Sequence, residues 1–156
     1  MREPKISDYA LIGDSCSAAL VSVKGSIDWC CLPEFHSPSI FAKLLDEEKG
    51  GYFSISPTGN YTSNHKYITD TNVVETYFES ETGTVRLLDS YSVRHEEDKK
   101  HSPFPQHEIL RIVECISGNI TMRLEYSPRF YYGKITPKLQ NREKFGVHYC
   151  WKEHIF

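Results

Sequence analysis

The sequence is cut at short, regular intervals by turn-forming residues. Lys24-Gly25, Gly50-Gly51, Pro57-Thr58-Gly59-Asn60, Glu81-Thr82-Gly83 and Ser117-Gly118-Asn119 each separate brief runs of apolar, β-branched and aromatic residues. Gly supplies the positive φ that a tight reversal needs, so such punctuation favours hairpins over long helices. Ser17 to Val23 and Ser26 to Cys31 read as a strand pair around Lys24-Gly25. Asn72 to Glu79 and Thr84 to Tyr91 read as a second hairpin, and Glu108 to Ile116 as a long strand. In Ile120 to Tyr126, Ile120, Met122, Leu124 and Tyr126 alternate with Thr121, Arg123 and Glu125. That period predicts one buried and one solvated face. Tyr52 to Ser56 and Gly146 to Trp151 add further strands, and Arg129 to Tyr132 reads as extended.

One segment departs from this pattern. Ser37 is a good N-cap and Pro38 suits a first helical position, with Ile40, Phe41, Leu44 and Leu45 on one stripe before Gly50-Gly51. A short helix is predicted there. Residues 2–14 read as an extended lead-in, and residues 94–106, charged and bearing prolines, as a long exposed loop. The sum is a mainly β chain: an antiparallel β-sandwich with one short helix. At 156 residues it fits one domain, 1–156.

Charge and composition narrow the partners. A net charge of −3 gives no positive field for nucleic acid or anionic lipid. Ten Tyr and eight Phe suit pleated surfaces and leave some rings available for stacking on sugars. The N-terminus MREPKISDYALIGDS has no apolar signal core, and no apolar run is long enough to span a bilayer. The five cysteines form no regular framework, so reduced thiols and a cytoplasmic location are expected. On that expectation the sequons at Asn60 and Asn119 stay unused.

Candidate chemistry is thin. Cys30, Cys31 and His36 are a poor metal set, because adjacent strand residues point to opposite faces. On strict alternation, Ile27, Trp29 and Cys31 share one face and Ser26, Asp28 and Cys30 the other. No Gly-x-Ser-x-Gly elbow, phosphate loop or dinucleotide fingerprint is present, so neither metal nor cofactor is expected. His95, His101 and His107 flank the charged loop and read as solvated. Glycoside hydrolysis needs two carboxylates roughly 5–9.5 Å apart. Asp14, Asp28, Glu34 and Glu108 are available, but no sequence spacing sets two of them across a cleft.

Several stretches, in order, resemble one family. These are Asp8-Tyr9-Ala10-Leu11-Ile12-Gly13-Asp14, Gly25-Ser26-Ile27-Asp28-Trp29, and Pro33-x-Phe35-x-Ser37-Pro38-Ser39-Ile40-Phe41. Later come Thr71 to Thr76, Arg86-Leu87-Leu88-Asp89, Met122-Arg123-Leu124 and Pro128-Arg129-Phe130-x-Tyr132-Gly133. Together they resemble the N-terminal domain of the bacterial and archaeal glucoamylase- and trehalase-like enzymes of glycoside hydrolase family 15.

The resemblance implies a β-supersandwich, longer than this chain, followed by an (α/α)₆ barrel. In the family the barrel carries two glutamates, a general acid and a general base, that cleave α-glucosidic bonds with inversion. That barrel is absent from residues 1–156, so the chain is expected to be inactive alone. Its expected partners are the barrel and an α-glucan or trehalose. Asp28, Trp29, Phe35, His36 and Ser37 are the residues expected to bind substrate or face the barrel. The chain departs from the family at His36, where Asp is common, and at Cys30-Cys31. Two other roles compete with this one: a stand-alone carbohydrate-binding module, and a domain that self-associates through exposed strand edges.

Overall fold

The computed structural model describes residues 5–93, 107–142 and 146–149. After a 3-10 turn at Ile6–Asp8 the strands are β1 (Tyr9–Gly13), β2 (Ala18–Ser22), β3 (Ser26–Cys31), β4 (Ser39–Phe41), β5 (Tyr52–Pro57) and β6 (Thr62–Tyr67). They continue as β7 (Val74–Ser80), β8 (Gly83–Tyr91), β9 (Ile109–Gly118), β10 (Met122–Ser127), β11 (Leu139–Arg142) and β12 (Gly146–Tyr149). One sheet has the order β1-β2-β3-β5-β10, with β4 also paired to β3. A second has the order β6-β7-β8-β9, and β11-β12 is a separate hairpin. Every pairing is antiparallel. The long loop expected over 94–106 and the end of the chain past Tyr149 lie outside the described residues.

The two larger sheets enclose the core. At one end Ala10, Ile12, Ala19, Val21, Ile27, Cys30 and Phe41 from the first sheet meet Val74 and Tyr91 from the second. At the other, Ile55 meets Phe78, Val85 and Leu87. The cysteines Cys16, Cys30, Cys31 and Cys115 are unbridged thiols. Burial drives the Cys30 thiol up to about 11, so it behaves as an apolar filler.

The fold corrects several sequence expectations. No helix forms after Ser37-Pro38. Cys30 and Cys31 of β3 pair with Phe41 and Ser39, making this segment a strand. Its other side receives the Arg129 amide at the Ile40 carbonyl. The amides of Ala42, Lys43 and Leu44 then donate to the carbonyls of Gly50, Gly51 and Asp28. These tertiary partners outcompete a weak local propensity, and Leu44 and Leu45 are left exposed. The one short helix among the described residues is Phe130–Gly133, where an extended segment was expected; Tyr131 and Tyr132 there have φ of 53° and 58°. The lead-in contains a true strand, β1.

Strict alternation also fails in β3. Val21 pairs with Ile27 but Leu20 pairs with Trp29, so Asp28 is the extra residue of a β-bulge. The bulge resets the parity. Ile27 and Cys30 both enter the core, and Trp29 turns to the outer face beside Leu20.

Arg111 joins the sheets. From β9 its guanidinium meets the fully buried Asp89 carboxylate at 2.6 and 3.2 Å. It also donates to the Phe53 carbonyl of β5 at 2.7 Å and to the Gly25 carbonyl, in the turn between β2 and β3, at 2.8 Å, both across the core. Burial raises the Asp89 carboxyl and the Arg111 charge opposes that shift. Removing one partner of a buried pair costs about 3–5 kcal/mol, whereas replacing both by apolar groups is far milder. Arg111→Ala should therefore lower urea-unfolding stability by about that amount. The double variant Arg111→Leu/Asp89→Leu should recover a large part of the loss.

Candidate functional site

The two outer faces of the sandwich differ in chemistry. On the β6-β7-β8-β9 sheet, Glu75 lies 3.2 Å from Lys66 and 3.4 Å from Arg86, and Arg86 reaches Glu114 on β9 at 2.5 Å. This face is ionic at its centre, with Glu75 buried under Lys66 and Arg86, and Leu110 and Ile112 are exposed on it along β9. The outer face around β3 is aromatic instead. The Trp29 ring lies 6.4 Å from that of Tyr132, tilted by 43°, and Lys43 Nζ sits 4.4 Å above the Tyr52 ring. Trp29 is half-buried and Tyr132 is 55% exposed.

Local chemistry fixes these rings. The Asp28 bulge aims Trp29 outward, and its buried carboxylate accepts from Tyr9 Oη at 2.9 Å and Ser26 Oγ at 2.5 Å. Burial and the neighbouring Asp28 charge push the Tyr9 phenol well above its ordinary range, so it stays a donor. Tyr132 is placed by the left-handed turn. Gly133 follows at φ 86°, where an added Cβ would stand 2.8 Å from the Lys49 carbonyl oxygen.

The segment between β3 and β4 stands apart from the Trp29–Tyr132 pair in its chemistry. The Phe35 amide donates to the Cys16 carbonyl at 2.9 Å, and Ser37 Oγ accepts from the Glu34 amide at 3.1 Å. The backbone is thus tied down while Phe35 is 62% exposed. His36 pairs with Glu34 at 3.2 Å, its side chain 84% exposed. Ser37 is half-buried and serves the turn. Of the five residues expected from the sequence, Trp29, Phe35 and His36 present side chains outward; Asp28 and Ser37 hold backbone and bulge in place. Tyr132 is a partner that the sequence reading left off that set, although the Pro128-Arg129-Phe130-x-Tyr132-Gly133 motif carried the signal.

The carboxylates are engaged separately. Asp14 Oδ1 accepts from the amides of Cys16 and Ser17 at 3.0 and 2.8 Å, and Asp14 Oδ2 meets His107 Nδ1 at 2.6 Å. Asp28 is held by Tyr9 and Ser26, and Glu34 by His36. Glu108 contributes its carbonyl to the Ser92 amide. Among the described residues no group of three His, Cys, Asp or Glu side chains is arranged to hold a metal ion, and no helix is long and apolar enough to cross a membrane.

With this geometry the chain matches known proteins clearly. Residues 1–150 match the family described as trehalase-like, N-terminal. The chain belongs to that family. It is 34% identical over 154 residues to a trehalase of Thermoplasma volcanium, covering 97% of this chain and 24% of that protein. It is 37% identical over 138 residues to a trehalase of Thermoplasma acidophilum, covering 87% and 23%. To a trehalase of Mycobacterium tuberculosis it is 29% identical over 143 residues, covering 85% and 21%. The chain therefore spans about a quarter of the length of the curated relatives it matches, as their N-terminal part. No solved structure matches it.

The Asp14 arrangement yields a pH prediction. Burial alone would raise this carboxyl, but the Ser17 and Cys16 amides and His107 outweigh it and hold it below the ordinary range. A carboxyl depressed in the folded state contributes stability above its unfolded pKa of about 3.9 and loses it as pH falls through the folded value. The wild-type chain should lose this contribution progressively below about pH 4. Asp14→Asn should be less stable at neutral pH and show a shallower acid limb in pH-resolved thermal melts.

Proposed function

We propose that this chain is the non-catalytic N-terminal sandwich of an inverting, cytoplasmic α-glucosidase, acting on trehalose or an α-glucan in the complete enzyme. Its role is to pack on an (α/α)₆ catalytic barrel and shape the rim of the active site through residues 28–41. The observation that carries this reading is the match over residues 1–150 to the trehalase-like N-terminal family. Two structural features support it. The segment between β3 and β4 offers a large apolar ring, Phe35, on a backbone already tied to Cys16. A fixed backbone with an exposed ring suits a contact surface, since little order is lost on docking. The carboxylates Asp14, Asp28 and Glu34 are each held by separate partners, which suits a domain that leaves acid–base work to another.

The isolated chain should release no glucose from trehalose or maltooligosaccharides. Robust turnover that a point substitution in this chain abolishes would overturn the reading. Grafted in place of the matching quarter of the Thermoplasma volcanium trehalase, it should support trehalose hydrolysis. Phe35→Ala in that chimera should reduce kcat/KM by about tenfold, since a misplaced rim disturbs substrate geometry. An unchanged kcat/KM would remove Phe35 from the rim.

The Trp29–Tyr132 pair favours a second reading, a carbohydrate-binding surface on which a sugar ring stacks. Titration calorimetry with trehalose and maltooligosaccharides should then give heat that falls at least tenfold in Trp29→Ala and Tyr132→Ala. No heat with any α-glucan removes this reading.

A further inference from the structure

Two edge strands meet where β6 lies over β1. β1 ends the first sheet and β6 ends the second. In an antiparallel strand one residue points its amide and carbonyl to the same side. Leu11 of β1 points both at Tyr67 of β6. The Tyr67 hydroxyl accepts from the Leu11 amide and donates to the Leu11 carbonyl, each at 2.8 Å. One phenol thus occupies the place that a neighbouring strand would fill. The Asn72 side chain adds a bond to the Gly13 carbonyl. A bare edge of this kind is open to pairing with another chain, and here a single hydroxyl covers its centre.

The strand that carries this hydroxyl also carries an unpaired imidazole. His65 is cross-strand from Thr76, and Tyr67 from Val74. Thr76 and Val74 are fully buried, so His65 and Tyr67 share the inward face of β6. His65 Nδ1 and Thr76 Oγ1 are both buried, and neither has a hydrogen-bond partner among the described residues. Thr76 on β7 and Leu87 behind it on β8 carry no charge. Lys66 and Glu75 pair with each other on the opposite face. His107, the other histidine at this end, already has the Asp14 carboxylate as its partner. Asp8 is the charge that acts on His65. It favours the imidazolium, but burial outweighs it and holds the ring below its ordinary range. A neutral ring is tolerated in this position, whereas a buried charge without a close partner costs far more.

We infer that β6 is a proton-sensitive strap over the edge of β1: uptake of a proton by His65 lifts Tyr67 from Leu11 and bares that edge while the rest of the sandwich stays folded. β6 suits this role because it is polar on both faces and no residue in it is fully buried. Segments with few buried apolar contacts open locally at low cost. The direction follows from linkage. A histidine held neutral by the closed strap regains its ordinary pKa of about 6.5 when the strap opens. Closure is therefore fully favoured above that value and loses ground as pH falls through it.

The Leu11 amide reports on the strap directly. Its hydrogen exchange, followed by NMR at two pH values and corrected for intrinsic rates, should lose about tenfold in protection between pH 7.5 and pH 5.0; one histidine with an ordinary pKa of about 6.5 can supply at most about thirtyfold. The amides of β8 should keep their protection over the same range. His65→Leu should abolish the fall at Leu11. Tyr67→Phe should cost Leu11 about tenfold already at pH 7.5. Leu11 protection that holds at pH 5.0 overturns the inference, and so does a parallel loss across β8, which means global acid unfolding. A fall that persists in His65→Leu overturns it as well; if His107→Gln then removes the fall, the effect belongs to the Asp14–His107 pair. Unchanged Leu11 protection in Tyr67→Phe shows that the phenol is not the clasp. Should His65→Leu not fold, the ring-proton titration of His65 in the wild-type chain decides. A midpoint below about 6.5 that tracks the Leu11 fall supports the strap, and a midpoint at or above that value overturns it.

Discussion

The guanidinium of Arg111 is the contact on which the two sheets depend. It belongs to β9 and pairs with Asp89 on β8, yet its remaining donors end on Gly25 and Phe53 carbonyls across the core. Its face also lies 4.7 Å from the Phe53 ring. A buried carboxylate needs this charge, and two core-facing carbonyls need its donors. The Gly25 turn is built around the same contact. Its carbonyl also accepts from the Ile55 amide at 3.0 Å, and a Cβ there would come within 2.4 Å of the Ile55 oxygen and 2.8 Å of the Phe78 ring. Sheet spacing, turn position and the start of β3 are thus set together.

From that hub the sandwich closes unequally. At the β1 end, the Tyr67 and Asn72 side chains bond the Leu11 and Gly13 backbone, and the His107 ring meets the Asp14 carboxylate. Cys30, Tyr91 and Ser17 fill the interior at that end, with the Tyr91 hydroxyl 3.5 Å from Cys30 Sγ and 3.3 Å from Ser17 Oγ. Toward β9 and β10, Arg111 crosses the core to the Phe53 and Gly25 carbonyls, and core-facing Val113 and Leu124 stay exposed. The closed end holds the β3–β4 segment, so the surface that carries Phe35 and His36 is anchored to the better-sealed part of the molecule.

Much of this was legible in the sequence where local and tertiary signals agree. The hairpin β7–β8 and the strands β9 and β10 follow from alternation and Gly-bearing turns, because each pairs with its sequence neighbour or lies just past a turn. β6 was missed because Thr62–Tyr67 is polar on both faces, so burial left no pattern to read. The helix expected after Ser37-Pro38 fails for the opposite reason. Its caps are real, but the carbonyls of Gly50, Gly51 and Asp28 claim its amides, and those partners are distant in sequence. The alternation in Leu124 was read correctly, but its core-facing side is not covered. For the site, family-like motifs marked Trp29 and Phe35, whereas the bulge that aims Trp29 has no signature in SIDWCC.

That bulge and the left-handed turn together explain why an aromatic pair exists on this face at all. A non-glycine residue in the left-handed region costs about 1–2 kcal/mol, and Tyr131 and Tyr132 adopt it in succession. The turn persists because Phe130 and Ile135 exchange backbone bonds at 2.9 and 3.1 Å across it, and because Gly133 alone tolerates the approach of Lys49. An extended course over Arg129 to Tyr132, as the sequence suggested, would carry the Tyr132 ring along the strand direction and away from Trp29. Trp29 in turn would point into the core without the extra residue Asp28. Each ring is therefore placed by a local backbone irregularity that the surrounding fold holds. Irregularities of this kind persist only where neighbouring structure over-determines them, and they concentrate at working surfaces. The outer face of β3 is thus set by contacts of its own, Asp28 with Tyr9 and Ser26 and the Phe130–Ile135 bonds, distinct from the Arg111 contacts that fix the core.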